Sequence, residues 1–433
     1  GEKMNKTLSL AIAGLGTVGV GVLELLAAHR DLLNARCGRS IEVVAVSARD
    51  RSRDRGVSVD GYKWFDDPVE MAEESGADIF LELIGGSEGT AREACDAAIA
   101  AGAHVVTANK ALIAMHGSDI AARAEAANVS LAFEAAVAGG IPVIKALREG
   151  LAGNRVTSLH GILNGTCNYI LTTMRETGRP FEDVLAEAQT LGYAEADPSF
   201  DIDGVDAAHK LAILTSVAFG CKVNFDGVHI EGIRHVAAED IAYATELGYR
   251  IKLLGITERT KTGILQRVYP AMVPVGAPIA AVEGVYNGVV AEGDFVGTTM
   301  FEGRGAGAGP TASAVVADVV DIALGRNTPT FGVPTGSLSQ TPSQSLNERV
   351  GLYYIRLMVQ DTTGVFADIA TTLRDANISI ESAIQRARTD SGFVPVVLTT
   401  HETQEGAIQE ALSLLNKLES VAETPRMIRI ESI

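Results

Sequence analysis

The sequence predicts an α/β protein of three units in series: a doubly wound parallel sheet, an α+β domain, and a ferredoxin-like βαββαβ domain. Three observations lead there. Short apolar runs alternate with helical periodicity over the first third of the chain, the order that builds a parallel sheet with helices on both faces. After Gly140 the texture shifts to longer strand-like segments and one strongly apolar helix. A polar stretch from Gly336 to Glu348, rich in Ser, Gln, Thr and Pro, then precedes a last segment that spells βαββαβ.

Taken in order, the apolar run Leu8 to Ala13 enters the turn Gly14-Leu-Gly16-Thr-Val-Gly19, and Val18, Val22, Leu25 and Leu26 follow at helical spacing. Strands at Ile41 to Val46, Ile79 to Ile84 and His104 to Thr107 alternate with helices near 68–75 and 90–101. In the second unit, 141–149, 181–191 and 205–219 read as helices and 157–163 as a strand. Segments 250–273 and 279–302 supply a sheet covered by helices on one face. A helix near 311–324 should return to the first unit. The expected division is therefore 4–140 for dinucleotide binding, completed by 305–330, then 141–335, a linker at 336–350, and 351–433. Within the last, 352–359, 378–388, 393–400 and 427–431 read as strands, and 366–375 and 407–418 as helices. Gly1 to Lys3, ahead of Met4, should lie outside the fold.

Composition narrows the function classes. The chain has 433 residues, a net charge of -18 and 47% hydrophobic residues, enough for several cores but no basic surface for nucleic acid. No apolar run is long enough to cross a membrane. Cys37, Cys95, Cys167 and Cys221 stand far apart, which suits a reducing, cytoplasmic setting rather than a disulfide framework or a zinc site.

The glycine spacing at 14, 16 and 19, between a strand and a helix, is the fingerprint of a Rossmann-like dinucleotide site. The first glycine permits a tight turn, the second gives backbone access to the pyrophosphate, and the third allows close helix packing. Thr17 and Val18 would lie against that pyrophosphate. The second strand ends in Arg49 rather than an acidic residue, so a 2′-phosphate is favoured and NADP is the expected cofactor. Asp50 follows at once, which leaves NAD possible. Lys110, after the strand 104–107, stands where ligands of such sheets collect.

The densest group of reactive side chains runs from Gly192 through Glu195 and Asp201 to Asp206 and Lys210. Asp206 and Lys210 are an i,i+4 pair on a helix otherwise apolar, so they should face a cleft. His209 lies on another face and reads as structural. A calcium loop is excluded by spacing.

Several segments together resemble homoserine dehydrogenase: A-G-L-G-T-V-G at 13–19, T-A-N-K at 107–110, F-E-A-A-V-A-G-G-I-P at 133–142, G-I-L-N-G-T-C-N-Y-I-L at 161–171, G-Y-A-E-A-D-P at 192–198, D-G-V-D-A-A-H-K at 203–210 and G-R-G-A-G-A-G-P-T at 303–311. The resemblance implies reversible, NAD(P)-dependent interconversion of aspartate semialdehyde and homoserine on the path to threonine and methionine. It makes Lys210 the proton donor and Lys110 a second essential lysine near cofactor and substrate. Glu195 and Asp206 would bind the substrate amino group, with Asp201 supporting, and Gly192, Gly305 and Gly307 would approach the nicotinamide. It further implies a monovalent cation, sodium, at Glu134, Val137, Gly139 and Ile141, in a stretch that by pattern alone is a turn into a helix. Cys167 stands where Thr or another small polar residue is expected, and reads as packing.

The last unit resembles an ACT domain, with the Asp361-Thr-Thr-Gly364-Val365-Phe366 turn as its characteristic piece. That implies pairing into a homodimer or homotetramer and threonine as effector. Two other functions compete. An aldehyde-oxidising semialdehyde dehydrogenase would need an activated cysteine, and neither Cys95 nor Cys167 has a histidine partner motif. A non-catalytic nucleotide-binding amino-acid sensor would not need Glu195, Asp206 and Lys210 together.

Overall fold

The computed structural model describes residues 7–386 and 392–433. The expectations for Gly1 to Lys3 and for the last two positions of the strand segment 378–388 lie outside the described residues.

Six strands, β1 (Leu8–Ala13), β2 (Ile41–Ser47), β3 (Lys63–Phe65), β4 (Ile79–Glu82), β5 (His104–Thr107) and β6 (Leu131–Ala132), form a parallel sheet in the order β3-β2-β1-β4-β5-β6. Along β1, Leu10 and Ile12 point into one core with Val22, Val315 and Val319, while Ala11 and Ala13 enter another with Met71, Phe80 and Ala94. From Leu10 to Ala13 the strand is covered on both faces and apolar at every position, while Ser9 near its start is half-buried and bonds Asp78. The order reverses between β1 and β4, opening a crevice at the strand C-termini. The short β3 and β6 were not legible in the sequence, since two or three residues carry no period.

The late helix Ala308–Ala323 packs on the helix Thr17–Ala28, where a Cβ on Gly21 would stand 2.8 Å from the Ala308 carbonyl oxygen. The chain thus returns to the first sheet after building the second.

The second sheet holds β7 (Val156–Ile162), β8 (Val228–Ile230), the hairpin β9 (Tyr249–Arg259) and β10 (Ile264–Pro274), and the hairpin β11 (Tyr286–Gly293) and β12 (Gly297–Arg304). Helices Gly165–Thr177, Val205–Phe219 and Ala238–Glu246 cover one face, with Phe181–Thr190 packed on the first of them. On the other, Ile162, Leu254, Ile256 and Tyr269 pack against Ile279 and Val282. The segment expected as a helix over 141–149 is helical at Val143–Lys145 and loosens into a π-turn at Ala146–Gly150.

In the third unit, β13 (Val350–Gln360), β14 (Ile380–Gln385), β15 (Phe393–Thr400) and β17 (Arg426–Ile430) stand in the order β17-β13-β15-β14, and β16 (Thr403–Gln404) pairs with the start of β13. Helix Val365–Asp375 buries Val365, Ile369 and Leu373, one stripe at i,i+4 spacing. Strand β17 also pairs in parallel with β10, setting Ala271 opposite Arg429 and Met272 opposite Ile430. The second and third units therefore share one sheet of eleven strands among the described residues. The polar segment expected as a linker lies along the second unit, with Ser339 bridging to Cys221 and Ser343 to Ile264.

Candidate active site

The glycine turn after β1 is built as the spacing implies. Gly14 has φ +101°, and a Cβ there would stand 2.5 Å from the Leu83 carbonyl oxygen. A Cβ on Gly19 would stand 2.0 Å from the Gly14 carbonyl oxygen, whereas the space at Gly16 is open. Thr17 opens the helix and is exposed, and Val18 is half-buried behind it. Beside them lies a cavity of about 610 Å³ whose lining includes Gly14, Gly16, Arg49, Arg53, Arg55 and Leu83.

Arg49 is exposed at the end of β2. The Asp50 carboxylate turns back to accept the Ser52 N–H at 2.9 Å and hydroxyl at 2.6 Å. Those bonds hold its carboxyl below the usual range. Arg53 and Arg55 also reach this cavity and were missed in the sequence, and Asp50, Asp66 and Asp67 line it with them.

Past β5, Asn109 caps the helix Lys110–Ala126 by accepting the Leu112 N–H at 3.0 Å, and it donates to the Gly86 carbonyl at 2.7 Å. Lys110 is thereby fixed at the first helical position, and its Nζ meets Asp206 Oδ1 at 2.9 Å. Lys210 Nζ donates to Asp206 Oδ2 at 2.7 Å and to the Leu163 carbonyl at 2.8 Å. Asp206 and Lys210 are buried on the largely apolar helix Val205–Phe219.

Asn164 completes the cluster, and sequence reasoning did not single it out. Its Oδ1 accepts the Cys167 N–H at 2.8 Å, capping the helix Gly165–Thr177. Its Nδ2 therefore faces outward and donates to Asp201 Oδ1 and Asp206 Oδ2, both at 2.8 Å. The available signal was an Asn directly before a helix and after a buried strand. Burial raises the Asp206 carboxyl, but Lys210, Lys110 and the hydrogen bonds outweigh it and hold the group well below the usual carboxylate range. Burial and then the Asp206 charge push Asp201 up, with Asn164 opposing.

Other candidate residues are placed less tightly. Glu195 is exposed, and its main-chain carbonyl takes the Gln189 amide at 2.9 Å. Its carboxylate is not among the groups bonded in the cluster. Gly192 is exposed at φ +77°, and the neighbouring Tyr193 carbonyl accepts the Thr166 hydroxyl at 2.7 Å, tying that loop to the helix Asn164 caps. A Cβ on Gly305 would stand 2.0 Å from Asn287 Nδ2, which itself donates to the Leu163 carbonyl at 3.4 Å. Gly305 thus abuts Asn287, whose amide reaches the carbonyl that takes Lys210.

Glu134 is buried, its N–H donating to Asp318 at 2.9 Å and its carboxylate accepting the N–H groups of Ile144 at 2.9 Å and Lys145 at 3.2 Å. Burial, then the Asp318 charge, push its carboxyl up to about 7. Lys145 pairs with the buried Asp318 and with the half-buried Asp321, which also takes Arg326 at 2.9 Å. The adjoining turn that carries Val137, Gly139 and Ile141 holds Ala138 at φ 51°, a left-handed conformation costly for a residue with a Cβ.

His209 is buried between Phe200 and Phe225, at ring distances of 5.4 and 4.5 Å. Burial lowers its pKa, as suits a structural ring. Burial likewise pushes the Cys95 and Cys167 thiols well up, away from nucleophilic use. Cys167 packs in the core, and its Sγ also donates to the Asp201 carbonyl at 3.2 Å. No helix among the described residues is long and apolar enough to cross a membrane.

Family models match the chain in three consecutive stretches: the NAD-binding domain of homoserine dehydrogenase at 14–134, homoserine dehydrogenase at 142–320, and the ACT domain at 353–420. A homoserine dehydrogenase of Pseudomonas aeruginosa is 46% identical over 99% of this chain and 100% of its own length. The crystal structure of one from Thiobacillus denitrificans superposes with a TM-score of 0.93 at 45% identity, covering 99% of both chains. A hyperthermophilic archaeal homoserine dehydrogenase solved in complex with NADPH is 27% identical, with a TM-score of 0.64 over 75% of this chain and 100% of that one. With the dinucleotide crevice in front, the lysine–carboxylate cluster beside it and the Pseudomonas and Thiobacillus relatives matching over 99% of its length, the chain belongs to the homoserine dehydrogenase family, oxidoreductases with a nicotinamide cofactor, and carries an ACT domain at its C-terminal end.

Proposed function

We propose that Lys210 is the acid and base of a reversible hydride transfer between NADPH and L-aspartate 4-semialdehyde, giving L-homoserine for threonine and methionine biosynthesis. The observation that carries this is the sharing of Asp206 between Lys110 and Lys210 at the edge of the dinucleotide crevice. A bound nicotinamide dinucleotide supplies the hydride in one direction and accepts it in the other. An ammonium has three N–H groups, and Lys210 spends two on Asp206 and the Leu163 carbonyl. The third points the proton at the substrate oxygen, protonating the alkoxide as it forms. Lys110 stabilises the same developing charge from the cofactor side. Glu195 and Asp206 bind the substrate ammonium, Asp201 supports them, and Gly192, Gly305 and Gly307 leave room for the nicotinamide.

Gly14, Gly16, Thr17, Val18 and Gly19 would hold the pyrophosphate and Arg49 the 2′-phosphate, which favours NADP over NAD. Glu134 with the carbonyls of Val137, Gly139 and Ile141 would hold a sodium ion, which would relieve the crowding of the buried Glu134 against Asp318. The ACT domain supports regulation by threonine and assembly as a homodimer or homotetramer. The unpaired cysteines suit the cytoplasm. Domain roles follow 4–140 with 305–330, 141–335 and 351–433, joined through 336–350.

Initial rates of homoserine oxidation with NADP and with NAD, each with and without threonine, test this reading. Faster turnover with NADP and loss of rate with threonine support it. No turnover with either cofactor would return the chain to the sensor reading.

A further inference from the structure

We propose that the third unit positions the substrate side of the active site, through a bidentate ion pair between Arg429 on β17 and Glu231 after β8. This rests on the reading that Asp201 belongs to the substrate site.

Arg429 is buried, and its Nη1 and Nη2 meet the two Glu231 oxygens at 2.9 and 3.0 Å. On its other side, Nε and Nη2 donate to Glu405 Oε1 at 3.0 and 2.6 Å. Glu405 is fully buried at the start of the helix Glu405–Leu415. A planar guanidinium held on two sides fixes direction as well as distance. Glu231 also accepts from His229 at 2.7 Å, and its own N–H donates to the Val268 carbonyl at 2.8 Å, so both its backbone and its side chain are pinned.

From Glu231 the contact passes by backbone. Ile233 N–H donates to the Ile202 carbonyl at 2.8 Å. A Cβ on Gly232 would stand 2.1 Å from the Ile202 carbonyl oxygen and 2.5 Å from Asp203 Cα, so the two segments touch with no side chain between them. A Cβ on Gly204, the residue before the helix Val205–Phe219, would stand 3.1 Å from the Glu231 carbonyl oxygen. Arg234 then clamps Asp203 at 2.9 and 3.1 Å. The turn Ser199–Ile202 carries Asp201, and the helix beyond Gly204 carries Asp206 and Lys210. Close-packed backbone transmits displacement instead of absorbing it. The segment 231–234 is thus a strut between Arg429 and the residues that Asn164 bridges, and Glu231 and Arg429 are positioning residues.

Full-length Glu231→Gln, Arg429→Lys and Arg429→Met, with Asp201→Asn as reference, test the strut by steady-state kinetics and melting temperature. Small misplacements far from the chemistry are amplified, so Glu231→Gln should raise KM for homoserine about fivefold with KM for NADP unchanged, and Arg429→Lys should fall between wild type and Arg429→Met. If the Arg429 variants do not fold, Glu231→Gln decides, since its side chain is 42% exposed and it keeps its shape. An unchanged homoserine KM in folded Glu231→Gln, or equal shifts in both KM values, while Asp201→Asn raises homoserine KM, overturns the strut alone. An unchanged homoserine KM in Asp201→Asn overturns the substrate-site reading and the strut with it.

Discussion

Lys110, at the first position of a helix in the dinucleotide-binding unit, reaches across to Asp206 in the second unit at 2.9 Å. One ion pair thus fastens the cofactor side to the substrate side. The Lys110 side chain is a third exposed while Asp206 is buried, so most of its effect should lie in geometry and transition-state charge rather than stability. Lys110→Met is expected to lower kcat/KM about a hundredfold, with stability falling by only about 1 kcal/mol. Lys110→Arg should not rescue, because a planar fork cannot replace a point charge. Kinetics and urea melts on both variants check this.

Asn164 has two separable roles, capping a helix and bridging two carboxylates. Asn164→Ser keeps an N-cap and should retain nearly full stability, while Asn164→Ala should lose about 1 kcal/mol. Neither can bridge Asp201 and Asp206, so both should lose homoserine turnover alike. If turnover followed stability instead, the bridge would carry no function.

The glycines of the first turn should differ under alanine substitution. Gly16→Ala meets open space, so melting temperature should hold while KM for NADP rises about tenfold as the methyl meets the pyrophosphate. Gly19→Ala would put a Cβ 2.0 Å from the Gly14 carbonyl oxygen, a clash expected to cost about 1–3 kcal/mol or more. Equal melting temperatures would refute this division.

Glu134 sets a pH dependence with a definite sign. Its carboxyl is raised from 4.5 to about 7 in the folded state. Between those values the native state holds more protons than the unfolded one, so this group's contribution to stability falls as pH rises and levels off above the folded value. A cation beside it favours the ionised form. Sodium chloride should therefore raise the melting temperature over choline chloride more at pH 8 than at pH 5, and Glu134→Gln should abolish the difference. Identical melts in both salts at pH 8 would refute the cation site.

Much of this was legible in the chain. The strand–glycine–helix opening, the Asp206–Lys210 pair on an apolar helix and the closing βαββαβ order are local patterns, and local patterns survive folding. The bridge from Asn164 to two carboxylates, the pairing of Lys110 with Asp206 and the joining of β17 to β10 are contacts between distant segments, for which spacing carries no signal. Arg53 and Arg55 were hidden differently. They stand in a loop that carries no period, and only the fold brings them to the cavity beside the glycine turn.

Substituting Lys210→Ala and measuring homoserine oxidation and NADP binding on the same folded sample separates proton transfer from cofactor binding. Turnover should fall by about 10²- to 10⁴-fold with NADP affinity nearly unchanged. Retained turnover, or equal loss of turnover and NADP binding, would remove Lys210 from the role of proton donor.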